Sequence, residues 1–393
     1  MTWIERGLEL LLERGLRWRS PGAAPFEARN LRRILVVRKD NIGDVLCTTP
    51  AFRALRRAFP EVFLAVLVSE HCRPVVERNP DVDAVFTYSK SKHRSEWLGL
   101  SALWDLARVI QALRVRRFDL AIAMGRPCSR SGGWLAYASG APWRLGYRSP
   151  KLHPFGFFLN LGRDLGRTAS HEVDGCLELL ASIGVPPAGR ELTLIPDPEA
   201  QAGIRRRLAD AGVNEQDGLA LVHISNRRGT SRWPLTSFAR AADHLHDRLG
   251  LSILLSWAPG DARNPLFPGD DEKAQEVSRH MRVRPILLPT PRLSDLIAAT
   301  SLSHFALSTD GGPMHIAAAL EIPQVALFGE TVADHWAPVS RKCMLLQRGG
   351  HVDRIPVEDV VDAAVAVMSQ WGRGVSPGLR AAARPPGGTM GNA

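Results

Sequence analysis

No stretch of this chain offers about 18 uninterrupted apolar residues, the length that a bilayer-spanning helix requires, so the pattern predicts a soluble or peripheral protein. Cysteine is sparse. Cys47, Cys72, Cys128, Cys176 and Cys343 are odd in number and far apart, without the paired spacing of a zinc site, which predicts reduced thiols in the cytoplasm. Neither zinc-finger spacing nor an aromatic-rich RNA-binding signature accompanies the arginines, and no nucleic-acid partner is expected. A secretory leader is excluded as well, because Glu9 and Glu13 interrupt what would be its apolar centre.

The 393 residues, 45% hydrophobic and 23% charged, suffice for two domains with large cores. A net charge of +10 predicts attraction to polyanions, whether nucleic acid, an anionic membrane surface or phosphorylated substrates, and charge alone does not choose among them. Within residues 1–19, Ile4, Leu8, Leu11, Gly15 and Trp18 recur at helical spacing, with Arg6, Glu13, Arg14 and Arg17 elsewhere on the wheel. This amphipathic helix, with Trp3 and the nearby Arg32 and Arg33, suits an anionic leaflet; packing on the protein itself is the competing reading.

From Arg33 onward short β-rich runs alternate with helical patterns. Strands are expected at Ile34 to Val37, Phe63 to Val68, Ala84 to Thr87 and Leu120 to Ala123, with helices beginning near Thr48, His71 and Leu98. A proline-rich segment around Pro186, Pro187, Pro196 and Pro198 reads as a linker. Beyond it, strands are expected at Leu219 to Ile224, Ser252 to Trp257, Ile286 to Leu288, Phe305 to Ser308 and Gln324 to Phe328. Helices are expected near 235–248, 272–281, 292–299 and 313–320. The alternation predicts an α/β protein with two Rossmann-like domains facing one another, each a parallel sheet covered on both faces. The boundaries expected are an extension at 1–30, a first domain at 31–185, a linker at 186–198, a second domain at 199–372 and a disordered tail at 373–393.

Ligands of such sheets bind beyond the carboxyl ends of the strands, and two loops there carry chemistry. Between the first strand and its helix stand Asp40, Gly43 and Asp44. A carboxylate at that edge can take a proton from a substrate hydroxyl, and Asp44 is the candidate; its competing role is to cap the helix. In the second half, Ser308-Thr309-Asp310-Gly311-Gly312-Pro313-Met314-His315 compresses strand end, turn and helix start. The glycines permit a sharp turn and close approach, and Pro313 suits the first helical position. Free amides at the helix start attract phosphate, with Asp310 and His315 beside them to bind hydroxyls or phosphate oxygens. Asp81 and Asp83 have the spacing of metal-binding carboxylates but lack further ligands, and read as turn and strand-entry residues; Asp270, Asp271 and Glu272 read as decoration of a helix start.

Four stretches in this order, Gly43-Asp44-Val45-Leu46 with Thr48-Thr49-Pro50-Ala51, Asn79-Pro80-Asp81-Val82-Asp83, Arg232-Trp233-Pro234, and Asp310 to His315 through Phe328-Gly329, resemble glycosyltransferase family 9. These are the bacterial ADP-heptose lipopolysaccharide heptosyltransferases, and the resemblance covers roughly residues 31 to 370. It implies a GT-B fold with an acceptor-binding first domain, a nucleotide-sugar-binding second domain, and inverting transfer without metal or other cofactor. The family's catalytic base falls on Asp44 and its donor motif on Asp310, Gly312 and His315. Ser225 and Asn226 fall near its small polar phosphate contacts, and Asp261 on an acidic position that binds the ribose, where a turn role competes. Two positions depart from the pattern: Gly311 replaces a threonine, and Ser231 replaces a lysine, whose phosphate-balancing charge would pass to Arg227, Arg228 or Arg232.

The expected function is therefore heptose transfer from ADP-heptose, or another nucleotide sugar, to a lipopolysaccharide-core or other glycolipid acceptor at the cytoplasmic face of the inner membrane. Two readings compete: a non-catalytic sugar-nucleotide-binding or assembly protein, and a nucleotide-sugar epimerase on the same fold.

Overall fold

The sequence Arg-Ile-Leu-Val-Val-Arg at Arg33–Arg38 forms β1, and all but its first residue are buried, because the strand has neighbours on both edges and helices on both faces. This computed structural model describes residues 26–88, 100–148, 155–164, 171–213, 218–264 and 268–372, so the expected N-terminal amphipathic helix and disordered tail lie outside the described residues. The chain divides into two compact units, Met1–Thr193 and Leu194–Ala393.

In the first unit β1 is followed by α1 (Ile42–Ala58), β2 (Phe63–Ser69), α2 (Arg73–Val76), β3 (Ala84–Tyr88), α3 (Leu100–Val115), β4 (Leu120–Ala123), α4 (Arg130–Ala138), β5 (Trp143–Tyr147), β6 (Leu161–Arg163) and α5 (Glu172–Ala181). The six strands are parallel in the order β3-β2-β1-β4-β5-β6. The chain winds outward from β1 to β3 and then returns to β4, so the strand order reverses between β1 and β4. Ligand crevices open at such a reversal.

The second unit comprises α6 (Pro198–Asp210), β7 (Leu219–His223), α7 (Leu235–Leu249), β8 (Ser252–Trp257), α8 (Asp271–His280), β9 (Ile286–Pro289), α9 (Leu293–Ser301), β10 (Phe305–Thr309), α10 (Gly312–Ala319), β11 (Gln324–Phe328), α11 (Ala333–Trp336), β12 (Cys343–Gln347) and α12 (Val357–Trp371). Its parallel sheet runs β12-β11-β10-β7-β8-β9, the same wiring with the reversal between β7 and β10. Trp233 and Phe238 pack edge to face in its core, and the Trp233 indole donates to the Ile355 carbonyl at 3.0 Å, pinning the Arg232-Trp233-Pro234 segment to the turn that leads into α12.

Several expected boundaries move. The first helix begins at Ile42, not near Thr48, because Asp44 Oδ2 accepts the Asn41 amide at 3.0 Å and caps the helix there. Pro50 then sits inside α1, where it cannot donate to the Leu46 carbonyl. Thr49 Oγ1 donates to that carbonyl instead, at 2.8 Å, and accepts the Thr193 amide at 2.9 Å, while Thr48 Oγ1 donates to Asp44 O at 2.9 Å. Strands β5, β6 and β12 were not expected from pattern. In β5, Arg144 and Gly146 break the apolar run, yet Arg144 is buried, donating to the carbonyls of Phe158 and Ala141 at 2.8 Å each. On the edge strand β12 no residue is fully buried.

Candidate active site

At the carboxyl end of β1 the fold buries a charge. Arg38, the last strand residue, is 1% exposed, and its Nη2 donates to Asp44 Oδ1 at 2.8 Å and to Glu172 Oε1 at 2.7 Å. Asp40 Oδ2 lies 3.6 Å from Nε. The Nε and Nη1 atoms of Arg38 are buried without a hydrogen bond. Asp44 stands at the third position of α1, its side chain 16% exposed, with one oxygen on Arg38 and the other on the Asn41 amide. Burial raises its pKa above the usual carboxylate range; Arg38 and the Asn41 amide pull the other way, while Asp40 and Glu172 reinforce the rise. The capping role and the candidate base role thus coincide in one side chain, because the residue that caps the helix also stands at the sheet's carboxyl edge.

In the second unit the ends of β7 and β10 are tied by Asn226, whose side-chain amide donates to Thr309 Oγ1 at 2.8 Å and to Asp310 O at 2.7 Å. Its oxygen accepts the Arg228 amide at 2.9 Å, and Arg232 Nε donates to Asn226 O at 3.0 Å. Asp310, 8% exposed, accepts the Thr331 hydroxyl and lies 3.5 Å from Arg228 Nη1. Arg228 itself is 66% exposed. The result is a guanidinium reaching out over a buried carboxylate, beside the first amides of α10.

Gly311 precedes α10 with an extended backbone, φ 161°, and Gly312 is the first helical residue, so Pro313 takes the second position and the turn uses no left-handed glycine. A side chain at Gly311 would meet nothing closer than 3.7 Å. Gly329, in contrast, faces the Thr230 carbonyl, 2.7 Å from where its Cβ would stand. His315 is buried in α10, with its ring edge-on to Trp336 at 6.4 Å. Ser225 Oγ accepts the Ala258 amide at 2.9 Å, joining the ends of β7 and β8. Asp261, on the loop after β8, accepts the Arg263 amide at 2.8 Å and pairs with its guanidinium, also at 2.8 Å. Among the candidate residues, Asn226, Arg228, Arg232, Asp310, Gly311 and Gly312 come together; Ser225 and Asp261 border the adjacent loop.

Residues 106–352, more than half of the chain, match glycosyltransferase family 9 (heptosyltransferase). The chain belongs to glycosyltransferase family 9. This family 9 glycosyltransferase is 22% identical over 340 residues to lipopolysaccharide heptosyltransferase 3 of Escherichia coli, covering 81% of this chain and 90% of that protein. The crystal structure of a family 9 glycosyltransferase from Veillonella parvula superposes with a TM-score of 0.75 at 23% identity, covering 89% of this chain and 100% of that one. An Escherichia coli heptosyltransferase solved with ADP gives a TM-score of 0.68 at 19% identity, covering 85% and 99% of the two chains. These likenesses show the fold, which is GT-B with two α/β units.

Some residues of this family 9 enzyme's candidate site went unread in its sequence. Arg38 had a signal, a charge directly after the apolar run of a central strand and three residues before the Asn41 cap. Thr309 and Thr331 flank the recognised motif, but their hydroxyl partners follow only from folding. Glu172 had none. Asp83 accepts the Leu64 amide and the Arg56 guanidinium at 2.7 Å each, and the Asp81 amide donates to Asn79 Oδ1 at 3.0 Å. Asp271 accepts the Trp257 indole at 2.7 Å, and Asp270 pairs with Lys273.

Proposed function

We propose that this enzyme transfers a heptose from ADP-heptose to a lipopolysaccharide-core acceptor with inversion, Asp44 serving as general base. The observation that carries this reading is the placement of Asp44: a carboxylate at the carboxyl end of β1, mostly desolvated, held through both oxygens and made a stronger proton acceptor by burial. Each oxygen keeps a further lone pair for an acceptor hydroxyl. In the reaction, the acceptor oxygen gives its proton to Asp44 while attacking the anomeric carbon. The bond from that carbon to the diphosphate breaks, and ADP leaves with the electron pair. A single displacement of this kind inverts the anomeric centre.

The donor is assigned to the second unit. Arg228 and Arg232 supply the cations that a diphosphate needs, and Arg228 is exposed enough to turn from Asp310 toward a ligand. The first amides of α10, with Gly311 allowing close approach, would receive phosphate oxygens, while Asp261 and His315 would take donor hydroxyls. The nucleotide is read as ADP because the fold is that of a heptosyltransferase solved with ADP, and the sugar and acceptor because the relatives are lipopolysaccharide heptosyltransferases. No helix among the described residues is long and apolar enough to cross a membrane, and work on a lipid-borne acceptor at the inner membrane's cytoplasmic face is part of this proposal.

The test is Asp44→Asn, assayed with ADP-heptose and a delipidated core acceptor. ADP binding should be unchanged, and transfer should fall by roughly 10²–10⁴-fold, the usual worth of a positioned base. Transfer at the wild-type rate would refute the assignment. A parallel screen in which ADP-sugars fail to bind and another nucleotide sugar binds would overturn the donor while leaving the base intact.

A further inference from the structure

Glu172 is a buried carboxylate that the transfer step does not consume. It opens α5, which packs against α1, and it is nearly inaccessible to solvent. Burying an ionised carboxylate is costly unless a counter-charge meets it, and Arg38 Nη2 does so at 2.7 Å. That same nitrogen holds Asp44 Oδ1 at 2.8 Å. One guanidinium nitrogen therefore joins the candidate base to a carboxylate that stands 134 residues beyond Arg38 in the chain.

Among the described residues, the other charged and titratable groups around Arg38 do not duplicate this link. Asp40 lies 3.6 Å from Nε, at a distance too long for a hydrogen bond, and is itself approached by Lys39 Nζ at 3.9 Å. The thiols of Cys47 and Cys176 face the same interior; burial pushes Cys176 up to about 12 and Cys47 well above its usual value, so both are neutral near pH 7. Arg38 leaves Nε and Nη1 without hydrogen bonds and commits Nη2 to two carboxylates.

We infer that Arg38 and Glu172 form a positioning relay for glycosyl transfer, Glu172 fixing the guanidinium and the guanidinium fixing Asp44 Oδ1 so that the carboxylate meets the acceptor hydroxyl in one orientation. This rests on Asp44 being the base. Neither residue of the relay touches substrate; both act through Asp44.

The relay makes opposite predictions for its two members. For a carboxylate base, kcat/KM rises with pH as the group loses its proton, so the acid limb reports its pKa. Arg38 favours the charged form of Asp44, and removing its charge in Arg38→Met should move the limb to higher pH, by roughly one to three units for a charge so close. Arg38→Lys should restore part of the shift. Glu172 opposes ionisation of Asp44 and competes for Nη2, so Glu172→Gln should move the limb to lower pH.

In both variants kcat should fall about tenfold or more at the wild-type optimum, with the donor KM unchanged, and circular dichroism confirms folding. Should Arg38→Met fail to fold, Arg38→Lys and the near-isosteric Glu172→Gln still decide the matter. Limbs that stay in place, or move in the same direction, overturn the relay. If Asp44→Asn keeps the wild-type rate, the base assignment falls and the relay with it; if Asp44→Asn is inactive while both limbs stay fixed, the relay alone falls.

Discussion

The side-chain amide of Asn226 donates to the backbone carbonyl of Asp310 at 2.7 Å, across the point where the second sheet reverses its strand order. A second bond from the same nitrogen, to Thr309 Oγ1, makes Asn226 the tie between the loops after β7 and β10. Asn226→Ala removes both donors and leaves the Arg228 amide without its side-chain acceptor. Each such bond is worth about 1 kcal/mol, so ADP affinity measured by titration calorimetry should fall roughly tenfold. Arg228→Ala gives a contrast. Its pairing with Asp310 is on an exposed guanidinium and adds little to stability, so the melting temperature should hold while ADP affinity drops.

Two glycines flanking this site should answer substitution differently. Gly311 has room for a side chain and an extended backbone that any residue adopts, so Gly311→Thr should cost under about 0.5 kcal/mol in chemical denaturation. Its added hydroxyl should tighten ADP binding severalfold, as expected for one hydrogen bond of about 1 kcal/mol. Gly329→Ala drives a methyl against the Thr230 carbonyl and should cost about 1–3 kcal/mol. Equal stability losses in the two variants would contradict the packing described.

His223 predicts how stability responds to acid. Buried at the end of β7, with Nδ1 3.3 Å from Ser256 Oγ, it is lowered by desolvation to about 4, Asp270 opposing the shift only in part. Its folded pKa lies below its unfolded value of 6.5, so on acidification the unfolded chain takes up a proton that the native state refuses. This contribution is constant above about pH 6.5, and stability is lost as pH falls from 6.5 toward 4, by up to on the order of 3 kcal/mol. His223→Gln should flatten that part of the stability curve in denaturant titrations at several pH values.

Thr49→Val tests the device that lets Pro50 stand inside α1. The change leaves the Leu46 carbonyl and the Thr193 amide without their partner at nearly constant volume. Burial of such orphaned groups should lower unfolding free energy by about 1–3 kcal/mol. Ser at this position should recover most of the loss, since it keeps the hydroxyl.

The elements of both halves were legible to different depths. In β1, β2, β7 and β10 the apolar runs sit in the sheet interior, where both faces and both edges are covered, and composition alone marks them. Strand β5 hid because a buried arginine interrupts its run, its charge accommodated by backbone carbonyls from residues that are not yet neighbours in the unfolded chain. The turn at Gly311 was legible by residue type but not by shape: paired glycines pointed to a sharp turn with close backbone approach, and only the fold shows the backbone at Gly311 to be extended.

What the sequence by itself determined is the alternation of strand and helix in each half, the motif positions around Asp44 and Asp310, and through them the family. These are local properties, carried by periodicity and residue identity over a dozen positions or fewer. Tertiary structure alone decided which charges meet. Arg38 finds Glu172 across 134 positions because α5 packs on α1, and Asn226 finds Asp310 across 84 because β7 and β10 are adjacent where the strand order reverses. No local period encodes such partners; burial does, since a charge or amide taken from water must end beside a group that replaces it.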